Sequence, residues 1–313
     1  MRSILFGLSF SLFASAAVAA DATIEEVVID PVSAGWTFEA SAALVYMLRD
    51  DVGGTIATTT ASGAPLVSAS DVSLDWAPGA DVRLGAMNSN WGVEGRYYGG
   101  FHWDSEYNRA NAGLLQIFGV NVGGASALAS SYESSFDSAE LNAVWRPTDR
   151  IDVLGGVRWV DIDEQFDMGF SAGGPILLTA TNQTSSQGYG PQIGAKIHAL
   201  EAGQMGIPAY LDVEARVGAI KFDNDSFTGF VPPAGSAIFP TYRDGSEWSA
   251  MVEVGAAAGM KVTENTSLEF GYRMMYLDKV ALATVGGAAL NTTDTPTDRF
   301  LMHGFTAGLK VKF

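Results

Sequence analysis

Hydrophobic and polar residues alternate one by one along much of the chain. From Trp36 the apolar set Trp36, Phe38, Ala40, Ala42, Leu44 and Tyr46 interleaves with Thr37, Glu39 and Ser41, the period of a strand with one apolar and one polar face. The same pattern returns at about 71–87, in 91–103, at about 132–146, in 151–164, 188–200, 208–222 and 247–262, around Leu268–Tyr276, and in the last eleven residues, His303–Phe313. Ten strands are therefore expected. The break at Ala77-Pro78-Gly79 reads as a bulge or kink inside strand two, because proline cannot donate to a ladder.

The connections carry an independent signal. Those after even-numbered strands are short: Asn88–Asn90, Pro147–Arg150, Glu201–Ile207 and Thr263–Thr266. Those after odd-numbered strands are long, the asymmetry of short turns at one rim of a membrane barrel and long loops at the other. Counting Pro78-Gly79 as a turn would break that regularity, which favours ten strands over eleven. Twelve is the alternative if residues 113–122 form an extra pair. No apolar run after the first twenty residues is long enough for a membrane helix, and a closed sheet is the other structure that satisfies every backbone group in lipid. The expected fold is all-β: a transmembrane, antiparallel, up-and-down β-barrel over 36–313. Trp36, Trp91, Trp103, Trp145, Trp248, Tyr276 and Phe313 are expected outside, near strand ends, where rings favour the membrane–water interface.

The N-terminus sets the expected compartment. Arg2, the apolar stretch Ile4–Phe13 and the small residues Ala17-Val18-Ala19 or Val18-Ala19-Ala20 read as a cleaved signal peptide over 1–20, with 21–35 a short periplasmic segment. The localisation expected is the Gram-negative outer membrane. The formal charge of −17 argues against nucleic acid as a partner. With no cysteine in the chain, a disulfide framework, a thiolate metal site and a cysteine nucleophile are all absent.

On the face assigned to the lumen, Arg83, Arg96, Arg158, Arg216 and Arg273 meet Glu94, Glu140, Glu214, Glu253 and Glu269. Two arrangements are open. The charges pair with one another and fill the lumen, because an unpaired buried charge is very costly; or they line a narrow aqueous path and set ion selectivity. Ten strands lie between eight, whose interior side chains fill, and sixteen, which leave a channel.

Several segments carry a resemblance: "DWAPGADVRLGAMNSNWGVEGRYYGGFHW", "YESSFDSAELNAVWRPTDRIDVLGGVRWVDIDEQF", "GYGPQIGAKI", "LEFGYRMMYLDKVALA" and the terminal "HGFTAGLKVKF". They look like the pore-forming outer-membrane proteins typified by the Legionella major outer membrane protein. That resemblance implies a porin-like passive pore, and the lack of cysteine departs from a disulfide-linked oligomer. The terminal strand, with Phe305, Leu309, Val311 and Phe313 outward, resembles the signal read by barrel-assembly machinery. The alternative function is a closed structural or surface-interaction barrel, and a more distant one a hydrolase at the rim.

For the last, His102 is expected to face inward near Asp104, with Asp161 and Asp163 on a neighbouring hairpin. No G-x-S-x-G elbow or zinc spacing accompanies them, so no enzyme and no cofactor are expected. Outer-membrane lipids and lipopolysaccharide are the expected surroundings. Acidic residues placed in loops, among them Asp50, Asp51, Asp104, Glu106, Asp163, Glu164, Asp167, Asp223, Asp225, Asp294 and Asp298, are candidate contacts for divalent cations or simply solvated. The apolar loop pieces "PILLT" and "GFVPPAGSAIF" either fold inward or meet a partner.

Overall fold

In a computed structural model, residues 35–50, 55–59, 65–68, 71–72, 74–117, 120–200, 208–233, 236–284 and 297–313 are described. The expected signal peptide over 1–20, the segment 21–34 and the expected turn Glu201–Ile207 lie outside them.

Among the described residues twelve strands are present, and ten of them build the barrel. β1 (Trp36–Arg49), β4 (Trp76–Asn88), β5 (Trp91–Ile117), β6 (Val120–Thr148), β7 (Ile151–Ser171), β8 (Leu178–Leu200), β9 (Ala209–Val231), β10 (Ile238–Lys261), β11 (Thr266–Ala281) and β12 (Thr297–Lys312) follow one another around the wall. The ring closes where β1 meets β12, with Tyr46 opposite Phe305 and Ser41 opposite Lys310. β2 (Thr55–Thr59) and β3 (Pro65–Ser68) form a hairpin outside the ring, paired to the far end of β5 at Ala57–Ile117. Residues 113–117 and 120–122 continue the β5–β6 ladder instead of adding a pair to the wall, so the barrel has ten strands. Strand β4 runs through Pro78; its ladder with β5 begins beyond the proline, at Ala80–Gly99.

The lower half of the wall follows the alternation read from the sequence. Leu44, Val82, Val93, Leu141, Val157, Ile193, Val217, Phe270 and Leu309 stand open on the outer face. A belt of such residues is stable only against lipid. Trp91 and Trp145 stack across β5–β6 beside their turns, and Tyr46, Trp76, Phe305 and Tyr272 form an outer aromatic chain with ring spacings of 5.2–5.8 Å.

Above the belt the phase of the alternation reverses. Outside, Trp159 gives way to Asp161 and Asp163, Tyr189 to Gln187 and Ser185, and Trp248 to Ser246 and Asp244. Inside, the apolar set appears instead: Val160, Ile162, Phe166 and Met168 on β7, and Ile220, Phe222 and Phe230 on β9 are all buried. The strands therefore continue past the membrane into stretches that the sequence reading gave to loops. β7 reaches Ser171 instead of Glu164, and β8 begins at Leu178 instead of Gly188. Asp104, Glu106, Asp163, Glu164, Asp167, Asp223, Asp225 and Asp298 are accordingly strand residues, while Asp51 and Asp294 lie outside the described residues.

On β5 the reversal has a single cause. Gly99 pairs with Asp137 and Phe101 with Phe136, so Gly100, at φ +74, is an inserted bulge residue. Only glycine takes that backbone without strain. The insertion shifts parity: Phe101 and Trp103 turn inward, each 1% exposed, and His102 and Asp104 turn outward. Trp103 is thus a lumen residue, its Nε1–H donating to the Met47 carbonyl at 3.1 Å, and it does not belong to the outer girdle.

Candidate functional site

The lumen is layered. At the short-turn end a vestibule of about 530 Å³ holds Glu39, Asp152, Lys196, His198, Asp212 and Lys310 among its lining. His198 sits between two carboxylates, 2.7 Å from Asp212 and 3.4 Å from Asp152, and Tyr210 donates to Glu269 at 2.6 Å. Glu269, expected among the central charges, belongs to this outer layer, 3.9 Å from Lys310. A smaller gap of about 70 Å³ leads from there to Asp81, Arg83, Glu94 and Arg273.

Next comes a closed charge layer. Arg96, Glu140 and Arg158 are direct cross-strand neighbours on β5, β6 and β7, and Arg216 faces Glu253 across β9–β10. The strand registers therefore place alternating charges side by side before any contact across the lumen is made. Glu140 accepts from Arg96 at 3.0 Å and also from Arg158 and Arg216. Glu253 accepts from Arg96 at 2.7 Å and from Arg158 and Arg273. Arg83 reaches Glu214 at 2.8 Å, and Arg216 reaches Glu94 at 3.0 Å and Glu214 at 2.8 Å. Gln192 fills a remaining acceptor of Glu140 at 2.6 Å and holds Asn142 at 2.8 Å. The side chains of Arg96, Arg158 and Arg216 have no exposed surface, and those of Glu140 and Glu253 retain 1%.

Nine of the ten expected lumen charges thus converge on this layer, and the fifth carboxylate is Asp81, which the sequence reading omitted. Asp81 binds Arg96 in a two-pronged pair, both contacts 2.9 Å. It lies two residues before Arg83 in the same strand, so period two alone placed it on the inner face; the Pro78-Gly79 interruption drew attention away.

An apolar layer covers the charges. Tyr98 lies over Arg96 at 4.5 Å, and beyond it Phe101, Trp103, Phe136 and Phe300 stack at 5.5–6.5 Å with Met275, Leu277 and Met302 around them. A second buried pair, Arg49–Glu164, sits above, with Arg49 also held by Ser134 and by the face of Phe300 at 4.7 Å. The segment after β11 is tied down inside: the Ala283 N–H donates to Glu164 at 2.8 Å, Asn182 donates to the Ala283 carbonyl, and Ser186 to that of Ala281 at 3.4 Å. Neither Arg49 nor this inserted segment was read from the sequence. Arg49 ends a strand whose inner residues just before it, Val45 and Met47, are apolar, and the contacts of 281–284 are all distant in sequence.

His102 does not face the lumen. It stands open on the outer wall, in a cleft of about 610 Å³ that also includes Glu133, Asp163, Asp225 and Asp244. Among the described residues no group of three or more His, Asp or Glu is arranged to hold a metal ion. Phe305, Leu309 and Phe313 face outward as expected for the closing strand, and Val311 is half-buried among them.

No family model matches the chain, and no curated protein does. Among solved structures, similarity extends to the outer membrane protease OmpT of Escherichia coli, at 8% identity, TM-score 0.44 and 90% and 98% of the two chains. The translocator domain of the autotransporter NalP of Neisseria meningitidis gives 10% identity, TM-score 0.44, and 91% and 90% coverage. The toluene transporter TodX of Pseudomonas putida gives 8%, 0.31, and 89% of each. The barrel's own geometry defines the class: a ten-stranded membrane-spanning β-barrel with a lipid-facing belt and a filled lumen.

Two consequences are measurable. Glu253→Gln leaves Arg96, Arg158 and Arg273 one anion short in a dry layer, and should cost about 3–5 kcal/mol in reversible denaturant unfolding from lipid vesicles. Glu269→Gln, in the wetter vestibule, should cost no more than about 1 kcal/mol. On the outer wall beyond the belt, Asp161 faces Asp137 in register, with Asp163 beside it and Gln187 donating to it. Burial and then the two neighbouring carboxylates raise Asp161 to about 6 from 3.8. A raised carboxylate holds its proton better folded than unfolded, so its ionisation weakens the fold progressively as pH rises from about 3.8, and in full above about 6. Asp161→Asn should therefore be more stable than wild type at pH 7.5, with the advantage shrinking through pH 5 and gone below about 3.8.

Proposed function

We propose that this protein is a Gram-negative outer-membrane barrel that is sealed at rest and acts through the surface it presents outside the cell. The observation that carries this reading is the double seal: a charge layer with no exposed guanidinium on Arg96, Arg158 or Arg216, covered by the stacked rings of Phe101, Trp103, Phe136 and Phe300. A passive pore needs a continuous water path, and side chains fill this one at two levels. The signal-peptide pattern of 1–20 and the short-turn, long-strand asymmetry support the orientation, turns to the periplasm and long strands outward.

The porin-like reading is second. It is favoured by the vestibule and the smaller gap, which bring space for water up to Asp81 and Arg83 from the periplasmic side; conduction requires the layers above to part. Planar-bilayer recording of the refolded protein separates the two. The sealed barrel gives no steady channel steps across a range of salt. Ohmic steps in the wild type overturn it and support the pore.

The terminal strand serves assembly as well as closure in this proposal, with Phe305, Leu309, Val311 and Phe313 read by barrel-assembly machinery. The Phe313 N–H and carbonyl pair with Phe38, so the last residue also helps join the two ends of the wall. Deleting Phe313 should lower the folded, heat-modifiable fraction in outer-membrane extracts several-fold; an undiminished fraction counts against the role.

A further inference from the structure

The outer wall above the lipid belt carries a built concavity that the sealed lumen does not explain. The cleft of about 610 Å³ crosses β5 to β10. Its open lining is Glu133, Asp163, Gln183, Asp225, Tyr242 and Asp244, whereas the alternate residues Ser134, Glu164, Thr184, Ser226 and Arg243 are buried; the cleft therefore lies on the outside of the wall.

Further along the same strands, two hairpin tips fold back onto their own strands. Ile176 of the β7–β8 tip lies over Gly169, where a Cβ would stand 3.0 Å from it. Pro240, after the β9–β10 tip, lies over Gly229, where a Cβ would stand 3.6 Å from it and 3.0 Å from Phe227. Of the two loop pieces that the sequence left open, inward or partner-facing, each divides: Ile176 and Phe239 stand exposed, whereas Leu178 and Phe230 pack on the core. Ile176 is 48% exposed, Phe239 68% and Tyr242 76%, the last packed on Phe227 at 5.1 Å. Phe239 also adopts φ +51, an unfavourable backbone for an aromatic residue that has no burial to compensate it. Strain held at an open apolar tip is a mark of a contact surface.

Charge selects the occupant. The open lining has four carboxylates against the single histidine His102, and Asp137, Asp161 and Asp223 continue the acidic face toward the membrane. We infer that this cleft docks an extended basic polypeptide segment, with guanidinium or ammonium groups on Asp163, Asp225 and Asp244 and an apolar side chain against Tyr242 and Phe227. Exposed Tyr242 adds a cation–π face to the same surface. An apolar centre beside a charged rim is the anatomy of a protein interface. The inference rests on the proposed outward orientation and is independent of whether the lumen conducts.

The test uses the full barrel in zwitterionic lipid nanodiscs and a synthetic peptide of alternating arginine and leucine as probe, followed by titration calorimetry. Binding is expected at low ionic strength and should weaken in about 0.5 M salt. Asp225→Asn with Asp244→Asn should weaken it about tenfold, and Tyr242→Ala about threefold. Asp278→Asn with Asp298→Asn, which removes the same charge on the β11–β12 side, should leave it within about twofold. Equal loss in both double variants shows only net-charge attraction and overturns the site. Binding of a neutral oligosaccharide in place of the peptide overturns the assignment of the occupant. Bilayer conductance, measured separately, reports on the seal alone.

Discussion

Glu140 and Glu253 hold the middle of the molecule. Each is shared by three guanidinium groups, and Arg96 and Arg158 bind both. An ionised carboxylate so deep in a dry interior costs several kcal/mol unless it is paired and its other lone pairs are satisfied. The cluster meets that cost by joining β5, β6, β7, β9, β10 and β11 through side chains as well as backbone. Moving any of these strands by one residue would send its charged residue into lipid and leave several partners bare. The ladder of hydrogen bonds makes the wall, and the charge layer fixes its register.

The reversal of phase above the belt follows from the change of solvent. In lipid the outer face must be apolar, which leaves the polar residues for the lumen. Beyond the lipid the outer face meets water, and the lumen, cut off from water by the charge layer on one side and by the tied-in segment 281–284 on the other, becomes an ordinary hydrophobic core. Phe136, Phe166 and Phe222 occupy positions whose counterparts lower on the same strands are Glu140, Arg158 and Arg216. One wall therefore carries a membrane barrel and a water-facing β-barrel end to end.

Much of this was legible from period two and from turn chemistry. Ten staves, the outward belt and nine of the central charges all follow from residues within one strand of each other, whereas the long connections expected after strands three, five and seven are mostly strand, leaving short tips such as 172–177. What escaped has a common origin. A phase reversal looks like a loop when strands are sought by outward apolar residues, which hid the upper halves of β7, β8 and β9. Gly100 shifted the parity of β5 with no warning beyond a second glycine, so Trp103 and His102 changed faces. Arg49–Glu164 and the Ala283 contacts join positions about a hundred residues apart, and no local pattern announces a pairing of that range.

A filled lumen also constrains where a function can sit. Ten strands enclose too little space for both a paired charge layer and a ligand at the same height. The vestibule at the turn end is lined by balanced, mutually bonded groups such as Tyr210–Glu269 and His198–Asp212, whose hydrogen-bonding capacity is already engaged. The outer wall differs in kind: the cleft carboxylates Glu133, Asp163, Asp225 and Asp244 share one sign and stand open, and the half-buried Asp137 and Asp161 face each other across neighbouring strands, an arrangement that weakens a sheet. A surface selected for stability alone would alternate its charges there, as the lumen does two layers below. Glu133, Asp163, Asp225 and Asp244 concentrate one sign of charge beside the exposed ring of Tyr242, and a contact with a basic partner would neutralise the one while covering the other.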